Sequence, residues 1–452
     1  MINSHPDVVI VGGGIAGLAA ARILSERGQC VTLVESAPTL GGLLRSRSRG
    51  DWGDFDFGTH LFSETGLEPL DAVLFLDQRD SDAWLGHAHC VQDVFYAGAR
   101  RESPFIDTRL LSTPTHERAW AELRALPAVT SAPANLEEMV LATYGSTLLE
   151  HVFAPVMAKM YGVPPTELAR DAHLLFGLKR LIIGTAEESR NMKAAGAWHD
   201  DRIAFHDVVE GATNVRHFYP RERGIGHWVE QTQTRLEKAG VRVLTSANVM
   251  RLGIDSGQVT EVELTDGTLL PCERLIWSAP TFHLLKLAAL PMPAGVSPPR
   301  HRRVQLVDLV LDQPLETRAH YVTCYEPAMR TFRITNYAAL RGHPGQRPAR
   351  VTLEVLTNED DCAGITAQNL LTELVAMQLV PPHTRVLESW LDNVNHGFPI
   401  ITPAFMQDAL ALAQMAEAEL KNVILAGRAS GRVFFTKEVL LDVWQQLQEQ
   451  SL

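Results

Sequence analysis

Between Val8 and Gly42 the chain reads VVIVGGGIAGLAAARILSERGQCVTLVESAPTLGG. Val8–Val11 is a short apolar run, which predicts a buried strand. From Gly17 to Arg27, Leu18, Ala21, Ile23 and Leu24 recur at helical spacing, and Gly28 follows where a helix would stop. Val31–Val34 is a second apolar run. Strand, helix and strand in this order open a βαβ unit with parallel strands. Gly12, Gly14 and Gly17 lie between the first strand and the helix. In that context Gly12 permits a tight turn, Gly14 leaves the backbone bare for a pyrophosphate, and Gly17 lets helix and strand pack closely. Free N–H groups and the macrodipole at the helix start favour phosphate there. Glu35 ends the second strand, where its carboxylate would accept ribose hydroxyls and repel a 2′-phosphate. NADP is thereby disfavoured, and NAD and FAD remain.

Composition sets outer bounds. The 452 residues suffice for two or three domains, or one large composite. A net charge of −12 argues against bulk nucleic-acid binding and against adhesion to anionic membranes. The five cysteines form no CxxC pair, and an odd count makes a poor disulfide framework, so a reducing compartment is expected. His87, His89 and Cys90 stand close together, but no second ligand group follows at a metal-site spacing, so no metal is expected. No basic leader and no apolar run long enough to span a bilayer is visible, which predicts a cytoplasmic protein without a transmembrane segment.

Further along, strand alternation fades from about 67 to 205 and helical patterns dominate, at Asn135–Tyr144, Ser146–Met160 and Glu167–Ile183. Gly184–Gly211 is polar and reads as a loop or lid. FYPRERGIGHWVEQTQTRLEKAGVRVLTSANVMRL then predicts a turn, a helix over His227–Lys238 and a strand at Val241–Leu244. Gln258–Leu264 and Thr268–Cys272 form a hairpin pattern, and Ile276–Ala279 a strand. After the Pro-rich stretch 290–303, strands are expected at Val304–Leu311, Thr331–Thr335 and Val351–Leu356. Asn422–Ala426 and Glu438–Gln448 read as a last strand and helix.

The opening run resembles the dinucleotide signature of the flavin monoamine oxidase and protoporphyrinogen oxidase superfamily, GGGxxGLxxAxxLxxxGxxVxxxExxxxxGG, and meets it at every position. Gly41-Gly42 favours FAD over NAD. The resemblance continues in FDFGTHLF (55–62), in NVMRL (248–252), in LIWSAP (275–280) and in NVILAGR (422–428). It implies an α/β fold, with a glutathione-reductase-type, Rossmann-like FAD-binding domain and an inserted α+β substrate domain. The FAD-binding domain is expected from 1–66, 206–289 and 406–452, and the substrate domain from 67–205 and 290–405. The FAD contacts it implies are Gly12, Gly14, Ile15, Ala16, Gly17, Glu35, Ser36, Gly42, Leu43, Arg45, Gly58, Thr59, His60, Val249, Ala279, Gly427, Arg428, Phe435 and Thr436. The helix after Arg428 is expected to point its positive end at the flavin and stabilise the reduced ring.

Three segments resemble the bacterial protoporphyrinogen oxidase-like and UDP-galactopyranose mutase-like branch: PVMAKMYGVPPTELARD (155–171), YEPAMRTFRITNY through TLEVLTNEDD (325–361) and NHGFPIITPAF (395–405). Two departures stand out. No lysine occurs between Lys286 and Lys421, where amine oxidases of the family carry one near the flavin. The closing text GRASGRVFFTKE has Phe434 and Phe435 where sugar-enzyme relatives are polar. Three functions stay in view. The first is an FAD-dependent oxidoreductase, taking hydride from a C–N, C–C or C–O bond of a small biosynthetic metabolite and passing electrons to O₂ or another acceptor. His60, Arg303 and Arg333 are its catalytic candidates, with His301 and His396 as further bases. The second is a non-redox sugar-nucleotide mutase using reduced FAD, with Arg330 and Arg333 clamping a diphosphate. The third is an FAD-binding module without catalysis.

Overall fold

A computed structural model describes residues 7–130, 132–204, 215–293, 295–358 and 364–449. The chain forms two compact units. One comprises Met1–Gly86, Arg216–Pro298 and Met406–Leu452, the other His87–Val215 and Pro299–Phe405.

The first unit is built on a five-stranded parallel sheet. Its elements are β1 (Asp7–Val11), α1 (Ile15–Glu26), β2 (Cys30–Val34), α2 (Gly226–Lys238), β3 (Arg242–Leu244), β4 (Arg274–Trp277), β5 (Val423–Leu425) and α3 (Thr436–Glu449). The strand order is β3-β2-β1-β4-β5, and every pair is parallel. The order reverses between β1 and β4, which creates a crevice at the carboxyl edge of the sheet. Val9, Val34, Leu275 and Leu425 pack there with a three-stranded antiparallel sheet, Val249–Asp255, Gln258–Leu264 and Leu269–Pro271. The segment 67–86, expected in the substrate part, belongs to this unit. Phe62, Phe75, Trp84, Phe218 and Trp228 pack ring against ring, in edge-to-face and tilted pairs, and hold it, and the Trp228 indole donates to the Leu74 carbonyl (2.6 Å).

A buried carboxylate ties three distant pieces of this unit together. Asp56, fully buried, accepts from the Ser46 hydroxyl (2.6 Å), the Tyr219 hydroxyl (2.6 Å) and the Ile225 N–H (2.9 Å). Gly224 lies so close that a Cβ there would meet Asp56 Oδ1 at 2.3 Å. The FDFGTH segment, the 46–48 strand and the turn before α2 thus share one acceptor.

The second unit carries a seven-stranded sheet in the order Val386–Pro399, His301–Leu311, Ala349–Thr357, Thr331–Asn336, Tyr321–Cys324, Gln92–Tyr96 and Ala99–Arg101. All pairs are antiparallel except Tyr321–Cys324 with Gln92–Tyr96. Leu309, Val322, Ile334, Leu353 and Val355 of one face bury Leu370 and Leu374 of the helix Ala367–Ala376. Lys159, from the segment that resembles the mutase-like branch, is a structural clamp. Its ammonium donates to the carbonyls of Cys324, Glu326 and Thr331 at 2.8, 2.9 and 2.8 Å.

Several sequence expectations are corrected here. Glu167–Ile183 is not a helix: it holds 3-10 turns at Pro165–Glu167 and Ala172–Phe176 and a strand at Leu181–Ile182. Gly177, at φ +78°, stops the second turn, and the Leu181 N–H goes to Arg202 across the fold (3.1 Å). The 67–205 stretch is also less helical than expected: strands at Trp84–His87, Gln92–Tyr96 and Ile106–Asp107 find partners far along the chain, and Ala99–Arg101 folds back on Gln92–Tyr96 as a hairpin. Gly184–Gly211 is not all loop. Thr185 and Glu188 form a capping box that starts a helix at Ala186–Ala195; residues 205–214 lie outside the described ones.

Burial pushes the Asp56 carboxyl up to about 6, against the opposing hydrogen bonds and the Arg47 charge. The folded chain therefore binds this proton more tightly than the unfolded chain, whose Asp titrates near about 4. The stabilising contribution is complete below about pH 4 and is lost as pH rises through about 6, at a cost of roughly 3 kcal/mol. Asp56→Asn keeps an acceptor without the charge, so its stability relative to the parent should improve between pH 5 and pH 7 in urea melts. Asp56→Ala should cost about 3 kcal/mol at pH 5, because it strands three donors.

Candidate functional site

At the reversal point between β1 and β4 the first unit encloses a cavity of about 530 Å³. The turn after β1 forms its centre. Gly12 takes φ +105°, and a Cβ on it would meet Ser278 Oγ at 2.3 Å. The Ser278 hydroxyl donates to the carbonyls of Val11 and Gly12 (3.0 and 3.1 Å), locking the ends of β1 and β4 together. A Cβ on Gly17 would lie 1.9 Å from the Gly12 carbonyl oxygen. Gly14 is different: a Cβ there would meet nothing within 4 Å. It caps α1 with ordinary extended backbone, φ −77°, so its bareness serves open space and not the fold.

One end of the cavity is set by Glu35. Its Oε2 accepts the Gly13 N–H (2.6 Å) and its Oε1 the Ala37 N–H (2.7 Å). The Ala247 N–H donates to the Glu35 carbonyl and the Ser246 N–H to Ala37 (both 2.9 Å). This ladder brings Ala247, Asn248 and Val249 beside Glu35 and Ser36 in the wall. Gly41 donates to the Gly13 carbonyl (2.7 Å), carrying the chain back over the turn toward Leu43 and Leu44.

The other end is formed by Ala16, His60, Arg428, Phe434, Thr436 and Val439. Gly427 lets the chain after β5 approach α1, since a Cβ on it would fall 2.9 Å from that of Ala16. The Arg428 guanidinium lies 4.0 Å from the Phe434 ring centre and donates to the Phe434 carbonyl (3.3 Å). The residue is exposed to solvent, yet the surrounding protein lowers its pKa by desolvation. No carboxylate pairs with it among the described residues. His60 Nε2 lies 3.2 Å from the Phe57 carbonyl; a carbonyl only accepts, so Nε2 carries the proton and Nδ1 is the basic nitrogen.

Of the expected contacts, Gly12, Gly14, Ile15, Ala16, Glu35, Ser36, Leu43, His60, Val249, Ala279, Arg428 and Thr436 line this cavity. Gly17, Gly42, Arg45, Gly58, Thr59, Gly427 and Phe435 do not. Gly42 sits behind Gly14, and Arg45 turns back to the Gly42 carbonyl (2.7 Å) and stacks on Phe57. Phe435 is 44% exposed, and Phe434 takes the wall position instead. The expected role of the last helix also changes. Glu438 folds back over the start of α3 and accepts the N–H groups of Phe434 and Phe435 (3.2 and 3.0 Å). A negative charge already occupies that helix end and offsets its dipole. Asn248, Ser278, His283 and Leu287 line the cavity without having been expected. Only the last two left a signal, a spacing of four on one helix.

The remaining candidates lie in the second unit. Arg333 forms a two-pronged ion pair, Nε and Nη2 to the two Glu354 oxygens at 2.7 and 2.8 Å, and rests on Phe332. The Arg333 fork is thus matched to a carboxylate, and a diphosphate held by Arg330 and Arg333 would have to compete with Glu354 for it. Arg303 lies opposite Thr357 on the His301–Leu311 strand. The His396 side chain falls outside the described ones. His87 bonds the Leu340 carbonyl (3.0 Å) and stacks on His320. Among the described residues no three potential ligands converge on a metal position.

Comparison with known proteins agrees with this geometry. Residues 10–74 match the NAD(P)-binding Rossmann-like domain. A carotenoid phi-ring synthase of Streptomyces griseus is 64% identical over 39 residues, 9% of this chain and 8% of that protein. A polyamine oxidase of Oryza sativa is 46% identical over 55 residues, 12% of this chain and 10% of that protein. A coproporphyrinogen III oxidase of Propionibacterium freudenreichii is 24% identical over 65% of this chain and 60% of that protein. The matched segments thus span from about a tenth to 60% of these relatives' lengths. Among solved structures, a reduced UDP-galactopyranose mutase superposes with a TM-score of 0.76 at 18% identity, over 99% of this chain and 96% of that one. A protein described as a protoporphyrinogen oxidase, from Exiguobacterium sp. 255-15, gives 0.70 at 14% identity, over 100% and 99%. Among the described residues no helix is long and apolar enough to cross a membrane. The amino-terminal segment is thus that of an NAD(P)-binding Rossmann-like domain, and the fold is the one shared by the UDP-galactopyranose mutase and protoporphyrinogen oxidase structures.

Proposed function

We propose that the chain is an FAD-dependent oxidoreductase that dehydrogenates a C–N, C–C or C–O bond of a small metabolite. The observation that carries the reading is Gly14. Its missing Cβ faces open space at the head of α1, between a carboxylate at one cavity end and, at the other, a guanidinium that no carboxylate pairs among the described residues. Bare backbone at that point has a use only if something else comes close. Glu35 keeps a lone pair beyond those taken by Gly13, Ala37 and the Ser36 hydroxyl, enough to accept a ribose hydroxyl. The open N–H groups at the start of α1 and the desolvated Arg428 suit a pyrophosphate. Leu43, Leu44 and Phe434 exclude water between those anchors.

Bound FAD would supply the hydride acceptor. His60 is the proton-handling group nearest that role within the first unit, and its Phe57 bond fixes which nitrogen is basic. The Glu354 pairing of Arg333 weighs against the mutase reading, which asks that side chain to clamp a diphosphate. The unit with the seven-stranded sheet is assigned the substrate-binding role, and a cytoplasmic location accords with the cysteine usage.

Two experiments test this. Gly14→Val has ordinary backbone angles and room within the protein, so the apo variant should melt like the parent. It should bind FAD at least about tenfold more weakly, a loss of about 1.4 kcal/mol; unchanged affinity by fluorescence titration would sink the assignment of this cavity. Anaerobic mixing of the FAD-loaded protein with amines, L-amino acids and coproporphyrinogen III should bleach the visible flavin band with one class. If none bleaches it, and the dithionite-reduced protein instead isomerises a UDP-sugar without consuming oxidant, the redox function is wrong.

A further inference from the structure

The helix α3 turns one face toward the end of β5. Val439, Asp442, Val443 and Gln446 stand three and four apart, so they share that face. Val439 and Val443 are buried, and a Cβ on Gly427 would fall 3.1 Å from Val439 Cγ1. The two polar members meet each other: the Gln446 amide donates to Asp442 Oδ2 (2.7 Å). The same amide donates to the Leu425 carbonyl (3.1 Å). Among the described residues β5 is the edge of its sheet. In the Leu425–Ala426 peptide the N–H goes inward to the Trp277 carbonyl (2.8 Å), so the carbonyl of the same trans peptide points off the sheet, toward Gln446. Asp442 in turn accepts the Gly427 N–H, and burial holds its carboxyl above the usual carboxylate range. The charged groups that face it are Arg432 and Glu417, which pair with each other.

Leu425 and Gly427 are thus gripped from one helix, directly before Arg428. Gly427 takes φ +63°, a backbone position with wide freedom that these bonds remove. The far side of the turn is fastened as well, because the Ser430 hydroxyl donates to the Gly427 carbonyl (2.8 Å) and the Thr281 hydroxyl to the Ala429 carbonyl (2.6 Å). The Arg428 side chain has a looser hold, one aromatic face and one long bond to a carbonyl (3.3 Å). Its direction is therefore set through its backbone. A carboxyl and an amide on a helix face otherwise made of valines cost desolvation, and their hydrogen bonds go to this turn and to each other. A guanidinium held in place before the ligand arrives binds more tightly than one that must be ordered on arrival. We propose that Asp442 and Gln446 are positioning residues, which fix the Gly427–Arg428 turn so that the Arg428 guanidinium meets the diphosphate of the cofactor. This rests on the assignment of the cavity to FAD, and it places part of the affinity in side chains that do not line the cavity.

The test is a double-mutant cycle read by fluorescence titration of the apoprotein with FAD. Asp442→Ala and Gln446→Ala should each weaken FAD about fivefold, as for one lost hydrogen bond. Asp442→Asn keeps an acceptor for the Gly427 N–H and should recover part of that loss. Arg428→Gln should weaken FAD about tenfold, as for a lost charge-assisted contact. In the Arg428→Gln background Asp442→Ala should have no further effect, because the group it positions is gone. Melting of each apo variant reports whether it folds like the parent. Gln446→Met fills the same space, and it should lose as much affinity as Gln446→Ala even where the alanine variant melts early. Losses that add across the cycle, an equal loss in Asp442→Asn and Asp442→Ala, or unchanged FAD affinity in the variants overturns the inference and leaves the FAD assignment intact. A parent that binds no FAD overturns both.

Discussion

The architecture of the first unit depends on one close approach. The helix α1 reaches the carboxyl end of β1 only because Gly17 carries no side chain; a Cβ would sit 1.9 Å from the Gly12 carbonyl oxygen. With that contact made, the first turn of α1 aims its free N–H groups across the mouth of the sheet. Gly13 is then within reach of the Glu35 carboxylate (2.6 Å), and Gly41 within reach of the Gly13 carbonyl (2.7 Å). The cavity is what remains between these bonds. Any larger residue at Gly17 would push α1 off the sheet and dissolve the geometry that Gly14 and Glu35 rely on.

A parallel sheet assembled from three stretches of chain needs ties that local pairing cannot supply. Asp56 is one such tie, with partners more than a hundred residues away at Tyr219 and Ile225. Ser278 is another, joining the ends of β1 and β4 through a side chain. In the second unit Lys159 does comparable work with three carbonyls. Asp56 is buried in a core and Ser278 and Lys159 are half-buried; each is stable because its partners are present and costly when one is removed. The electrostatics of the cavity follow the same economy. Glu35 is matched to backbone donors, whereas among the described residues Arg428 meets an aromatic face and a carbonyl and no carboxylate.

Legibility in the sequence tracked locality. The βαβ start, the turn glycines and Glu35 were readable because their spacing is dictated by one turn and one helix. The capping box at Thr185 and Glu188 was equally local and was overlooked, because the surrounding polarity suggested a loop. The strands between 84 and 107 were hidden for a different reason. They are short, and apart from the hairpin of Gln92–Tyr96 with Ala99–Arg101 their partners lie far along the chain, as Gln92–Tyr96 shows by pairing also with Tyr321–Cys324. Asn248 and Ser278 carried no pattern of their own; they face the cavity because β-strands from distant segments end beside it. Phe434 and Phe435 were indistinguishable as text, and the path of the chain into α3 decided which one faces inward.

From the sequence alone came the dinucleotide-binding unit, the parallel start of its sheet and the residues that touch the phosphate turn, because glycine spacing and hydrophobic period are short-range facts. Tertiary structure alone decided how charge is distributed around the site. Arg333 reads as a free cation in the sequence, yet strand register sets it against Glu354. The start of α3 reads as a bare positive end, yet Glu438 folds back to fill it. Whether a charge is available depends on what lies beside it in space, and the distance between Arg333 and Glu354 along the chain says nothing of the 2.7 Å between them in the fold.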